Sequence, residues 1–167
     1  MGKRAEAEVS LCELPAKKAG TGKALRPRTS VLYKHRGFRW RGVKEEPYKP
    51  KGSDWANIVR CVLIGARGET AKFHVRYFEI SAGGNSSLER HNHEHVVICI
   101  RGRGQVRTGK TKRALEYLDT LYISPDTPHQ LTNPYKEPFG FLCIVNARRD
   151  RPRLLRLHDI ARRNRRS

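Results

Sequence analysis

From Asp54 onward the chain reads as short apolar runs separated by turns. Ile58–Ile64 (IVRCVLI) is apolar and β-branched, and Gly65, Gly68 and Glu69 mark a turn before a second long run, Lys72–Ile80 (KFHVRYFEI). Ser81–Ser87 is rich in Gly and Ser and predicts a loop. Val96–Ile100 is the next β-branched run. Gln105–Thr108 and Ala114–Tyr117 flank a basic turn at Gly109–Arg113 and predict a hairpin. Leu121–Ile123, Gln130–Thr132 and Phe139–Val145 bring the total to at least eight short strands, with no helical pattern between them. Strands so closely spaced predict an all-β sandwich or small barrel over 54–147.

The two ends behave differently. Residues 1–30 have no sustained apolar periodicity and carry the breakers Pro15, Gly20, Gly22 and Pro27, which predicts a disordered basic tail. Residues 31–53 form an arm in which Tyr33, Phe38, Trp40 and Tyr48 are spaced among basic residues. Such interleaving can stack on nucleic-acid bases. The alternation of Phe38 and Trp40 instead fits a half-buried strand that covers its own barrel or reaches a second subunit, and a homodimer is expected. In 148–167, Leu154, Leu157, Ile160 and Ala161 form a helical stripe one turn deep in an otherwise arginine-rich segment.

Charge sharpens this division. The chain of 167 residues has a formal net charge of +19. Residues 1–51 hold 14 Lys/Arg against five acids, 52–147 hold 12 against nine, and 148–167 hold nine against two. The basic excess belongs to the ends, so any contact with nucleic acid or another polyanion is expected there and should be salt-dependent. No apolar run approaches a membrane span, and neither a signal-peptide core nor a myristoylation pattern is present. The four cysteines form no C-x-x-C pair, and Cys61, Cys99 and Cys143 lie in apolar runs as buried hydrophobes would. These features point to a reducing, cytoplasmic setting.

The chemistry concentrates in Gly83–Gly104. Glu89, His91, His93 and His95 fall at alternate positions just before the Val96–Ile100 run. In an extended segment such positions project to one face. A carboxylate and three imidazoles turned inward together fit a divalent metal ion. A ligand from a distant strand is needed to close such a site, and His129, after the Pro-bearing turn of Asp119–Asn133, is the candidate. Parity alone leaves His93 competing with its neighbours. Glu94 has the opposite parity and is expected to face solvent. His74 reads as a satisfied strand histidine, and His35 and His158 as solvated. Tyr77, Tyr122 and Gln130 could line a pocket.

Both stretches resemble the paired motifs of the cupin superfamily, G-x5-H-x-H-x3-E-x6-G and G-x5-P-x-G-x2-H-x3-N. Gly83, Glu89, His91, His95 and Gly102 meet every spacing of the first motif, with Glu89 where the family has histidine and His95 where it has glutamate. In the second, His129 and Asn133 keep the motif's spacing, Pro125 stands one residue nearer His129 than the motif has it, Leu118 replaces the leading glycine, and Asp126 or Thr127 the inner one. The resemblance implies a small single-domain (type-2) cupin, an all-β double-stranded β-helix or jelly-roll barrel. It implies Glu89, His91, His95 and His129 as metal ligands, with His93 as an alternative ligand or an acid/base group. Fe, Mn, Ni, Cu and Zn all suit nitrogen and oxygen donors. Cupins host many activities, so three classes stay open: a metal-dependent isomerase, lyase or dioxygenase acting on a small oxygenated metabolite, a non-catalytic metal- or ligand-binding module, and a nucleic-acid-associated protein working through its basic ends.

Overall fold

In the computed structural model, residues 30–49, 52–150 and 152–162 are described. The disordered tail expected for 1–30 falls almost entirely outside them. The short arm strands are β1 (His35–Arg36), β2 (Arg39–Trp40) and β3 (Glu45–Pro47). The barrel follows with β4 (Ala56–Ile64), β5 (Phe73–Asn85), β6 (Glu89–Arg90), β7 (His95–Arg101), β8 (Gly104–Thr108) and β9 (Thr111–Leu115). It closes with β10 (Thr120–Ile123), β11 (His129–Thr132) and β12 (Phe139–Asn146), then β13 (Arg153–Leu154) and a short helix, α1 (Leu157–Arg162). Strands β3 to β13 form one antiparallel, nearly closed jelly-roll sheet.

Strand β12 lies at the centre of one wall, pairing with β5 along its whole length and with β7 on its other side. Alternation then decides what goes inside. Phe139, Phe141, Cys143 and Val145 of β12 join Val97 and Cys99 of β7 and Phe78 and Ile80 of β5 in the main core. Side chains on the opposite parity of β5 are buried as well, because the arm covers that face. The Phe38 and Trp40 rings lie 6.0 and 4.9 Å from the Tyr77 ring, and Tyr48 is buried in the main core. The arm aromatics thus pack on their own barrel. Under this cover the Glu79 carboxylate accepts from Tyr77 Oη and Arg101 Nη1, both at 2.6 Å.

Three local expectations change. The Gly/Ser segment 81–87 is mostly strand, because β5 continues to Asn85 and its end pairs with Ala56 and Thr132. The hairpin turn is tighter than the sequence predicts, since Thr111 already pairs with Thr108 and the basic residues after Lys110 belong to β9. The leucine stripe near the C-terminus divides: Leu154 joins β13, which pairs with β6, and both Leu154 and Leu157 remain exposed.

Two replaced glycines keep glycine-like backbones. Leu118 and Asp126 have φ of 69° and 59°, a left-handed conformation that a β-carbon disfavours. Aspartate tolerates it better than most residues, whereas Leu118 bears the cost on an exposed turn.

Gly104 shows how tightly this barrel closes. A β-carbon there would run into the fully buried ring of Phe139. Gly104→Ala should therefore destabilise the fold by about 1–3 kcal/mol through overpacking. The check is urea unfolding, and an unchanged midpoint would show that the ring has room to yield.

Candidate metal centre

The inward face anticipated from alternation is present. Glu89, His91, His93 and His95 are all buried, while Asn92 and Glu94 between them are exposed. Glu89 sits in β6, His95 opens β7, and the chain bends at Asn92–His93. His129 opens β11 directly opposite Glu89 in register. The fold therefore brings the two distant sequence stretches together.

Three imidazoles form the compact group. One ligand nitrogen from each of His91, His95 and His129 lies within 4.8 Å of the others. The His91 and His95 rings stack at 4.3 Å, and the His129 ring stands edge-on to both, at 4.8 and 5.2 Å. The pairing of the far nitrogens fixes what the near ones offer. His91 Nδ1 donates to the His93 carbonyl at 2.7 Å, and His129 Nδ1 donates to the Thr127 carbonyl at 2.8 Å. A carbonyl only accepts, so Nδ1 carries the proton and Nε2 presents its lone pair. His95 Nδ1 lies 3.6 Å from Cys143 Sγ. The Nε2 atoms of His91, His93 and His95 are buried and make no hydrogen bond among the described residues. Orphaned acceptors at such depth are what a metal ion would satisfy, and the donor set fits one.

Burial also keeps these rings neutral. It pushes the His91 pKa down to about 3, with His129 and His93 adding to the effect. Burial and then the His129 ring hold His95 well below the ordinary value. At pH 7 both are therefore unprotonated, as ligands must be.

His93 and Glu89 lie beside this group with partners of their own. The His93 ring stacks on His91 at 3.7 Å, and its Nδ1 donates to Asp150 Oδ1 at 2.7 Å. Asp150 also accepts from the backbone N–H groups of Asn92 (2.8 Å) and His93 (3.1 Å), pinning the bend. Glu89 Oε2 lies 3.2 Å from Lys49 Nζ, which in turn donates to Ser87 Oγ at 2.5 Å.

A cavity of about 30 Å³, room for two or three waters, opens against His95 and His129. Its lining includes Tyr48, Arg76, Glu89, His95, His129 and Cys143. Three expected lining residues are elsewhere. Tyr77 faces the outer cluster under the arm, Tyr122 is exposed, and Gln130 Nε2 donates to the Ser86 carbonyl. Asn133 is structural: its side chain donates to the Ile80 and Glu137 carbonyls and accepts from Tyr135 N–H.

Sequence reading passed over Lys49, Arg76 and Asp150. Arg76 shares parity with Phe78 and Ile80, an inward signal that its charge masked. Asp150 was hidden in an arginine-rich segment, and nothing local in the sequence ties it to His93.

The cupin domain profile matches residues 76–145. A Rhodospirillum rubrum protein, 1-methylthio-D-xylulose 5-phosphate methylsulfurylase, is 41% identical over 125 residues, covering 74% of this chain and 79% of that one. The chain belongs to the cupin family. Two solved cupin-2 structures agree. One from Rhodopseudomonas palustris has a TM-score of 0.71 at 38% identity, covering 79% of this chain and 90% of its own. One from Rhodospirillum rubrum has a TM-score of 0.68 at 37% identity, covering 78% and 87%.

This cupin's metal content should depend on the three grouped histidines. His91→Ala, His95→Ala and His129→Ala should each lower bound divalent metal at least about tenfold, while His93→Ala leaves it near the wild-type level. Metal analysis of the dialysed proteins decides. Full occupancy in the His91→Ala/His129→Ala double variant would refute a metal centre here.

The lowered histidine pKa values also set a pH dependence for the metal-free protein. Below pH 6.5 the unfolded chain takes up a proton at His91 that the folded chain refuses until about pH 3. Stability should therefore fall as pH drops through this window, by up to about 1.4 kcal/mol per pH unit for this residue alone. Denaturant midpoints measured in chelator at pH 7 and pH 5 test this; equal midpoints would contradict it.

Proposed function

We propose that this cupin is a divalent-metal-dependent enzyme acting on a small oxygenated metabolite, a phosphorylated keto-sugar of the methylthio-pentulose kind. The observation that carries the reading is the convergence of three buried imidazoles, His91 and His129 anchored through Nδ1, beside one small cavity. The 41% identity to a methylsulfurylase acting on 1-methylthio-D-xylulose 5-phosphate, across most of both chains, supports the substrate class.

In this reading His91, His95 and His129 hold the ion through Nε2, and Glu89 opposite His129 is the fourth donor. When bound, a divalent ion supplies Lewis acidity toward a carbonyl or hydroxyl oxygen, and Fe, Mn, Ni, Cu or Zn would suit the donors. His93 is the acid/base group. Its Nδ1 proton is committed to Asp150, so Nε2 is the atom that accepts and returns a substrate proton. Burial lowers the His93 pKa despite the raising effect of Asp150, which favours the neutral, proton-accepting form. The apolar walls, among them Phe78, Val97 and Phe141, keep water out.

The setting proposed is a cytoplasmic homodimer. Buried, unpaired Cys61, Cys99 and Cys143 support a reducing compartment. Among the described residues no helix is long and apolar enough to cross a membrane.

The direct test is incubation of metal-replete and chelated protein with 1-methylthio-D-xylulose 5-phosphate and a thiol, which accepts the methylthio group as a mixed disulfide while its proton goes to the sugar carbon, followed by proton NMR of the methylthio group. The reading expects the sugar-bound methylthio signal to decay with the replete enzyme, to persist after chelation, and to decay again once metal is restored. Saturable binding without any turnover would favour a ligand-binding module. Equal turnover with and without chelator would overturn the metal dependence.

A further inference from the structure

We infer that the outer face of the wall formed by β9, β8, β11, β6 and β13 is a nucleic-acid docking surface, which holds the phosphate backbone through Lys112, Arg107, Arg90 and Arg153. The inference is independent of the proposed activity, because the histidines lie on the inner side of this wall.

Alternation separates the two faces. Glu89 and His129 face inward, so Arg90 and Gln130, one residue further on, face outward. Register then lines up the cations. Arg107 of β8 stands opposite Gln130, Lys112 of β9 opposite Arg107, and Arg153 of β13 opposite Arg90. Neighbouring strands lie about 4.8 Å apart, so these side chains form a row roughly 20 Å long across the wall. The outward positions carry no aromatic or large aliphatic side chain, and the one carboxylate on these strands is the buried Glu89. Lys110 and Arg113, both exposed on the same hairpin, add to the positive field.

This arrangement works against the fold when nothing is bound. Arg107 with Lys112, and Arg90 with Arg153, are like charges directly opposite across paired strands, which repel. The barrel's carboxylates do not offset them. Asp54 and Glu89 pair with Lys49, Glu69 with Arg67, and Glu79 with Arg101. Asp150 and Asp159 are held by His93 and His158. Glu116, after β9, and Asp126, before β11, make no ion pair among the described residues. Arg90 and Arg107 are half-buried, and the Nε–H of each is buried without an acceptor among the described residues. Orphaned donors beside unrelieved like charges call for an external anion.

The shape of the row selects the anion. Guanidinium forks each match two phosphate oxygens, and a row of this length meets several successive phosphates. A membrane surface would require apolar anchors beside the cations, which this face lacks. With no aromatic ring to stack on bases, contact is to the backbone and carries no sequence preference. The barrel as a whole is nearly balanced in charge, and the fold gathers its unpaired cations onto one wall.

The experiment measures fluorescence anisotropy of metal-replete, full-length protein with a labelled single-stranded RNA and a labelled duplex DNA of mixed sequence. At least one should bind, with affinity falling steeply between about 50 and 200 mM salt. The tighter probe assigns RNA or DNA, and either supports the surface. Arg107→Gln/Lys112→Gln should weaken binding about tenfold and lower the slope of log affinity against log salt by about 2, one for each lost phosphate contact, while Arg107→Lys keeps most of both. Unchanged metal content in the variants shows that the barrel is intact. Should the half-buried Arg107→Gln fail to fold, Lys112→Gln/Arg113→Gln on the exposed edge strand gives the same reading. Wild-type affinity and salt slope in these variants would assign binding to the chain ends and overturn the surface. So would no binding at low salt, or tighter binding to phosphatidylglycerol vesicles or polyglutamate than to either nucleic acid.

Discussion

The site depends on one constraint: histidine side chains are buried with Nδ1 committed and Nε2 turned inward. Two backbone carbonyls, of His93 and Thr127, take the Nδ1 protons of His91 and His129 and thereby choose the tautomer. Each buried Nε2 left without a partner costs on the order of 1–3 kcal/mol. A fold that carries three such atoms at one place is under tension without a ligand, and a divalent ion held by His91, His95 and His129 would satisfy two of them, those of His91 and His95. Stability and function are therefore coupled at this point.

The barrel serves that constraint by register. Strand β11 places His129 opposite Glu89, β7 starts at His95, and the bend between them is tied down by Asp150. Asp150 comes from the segment after β12, and β13 from the same segment pairs with β6. The C-terminal part of the chain thus supports the histidine-bearing loop from outside. On the opposite side, Tyr48 and Lys49 from the arm help close the cavity and hold Glu89. The barrel strands and the bend between β6 and β7 supply the histidines, and the flanking segments hold them in place.

Much of this was legible in the sequence because strand alternation is a strong physical code. The odd-numbered run from Glu89 to His95 is buried, Asn92 and Glu94 between them are exposed and Arg90 is half-buried, as a period of two demands. Motif spacing located His129 and Asn133 across some forty residues of chain. What stayed hidden was of two kinds. Buried charges such as Arg76 and Lys49 violate the usual polarity rule, so the pattern reads them as surface. Long-range pairs such as Asp150 with His93 depend on the chain folding back, which local sequence does not encode. The separation of His93 from the three-histidine group likewise comes from a bend and a carboxylate, and parity cannot distinguish it from its neighbours.

The most direct test of the account is X-ray absorption at the metal edge of protein reconstituted with one divalent ion per chain. The account predicts scattering from three imidazoles, with metal–nitrogen distances of about 2.0–2.2 Å, and a fall to two in His129→Ala. A shell of oxygen atoms without imidazole scattering, or a spectrum unchanged by His129→Ala, would contradict it.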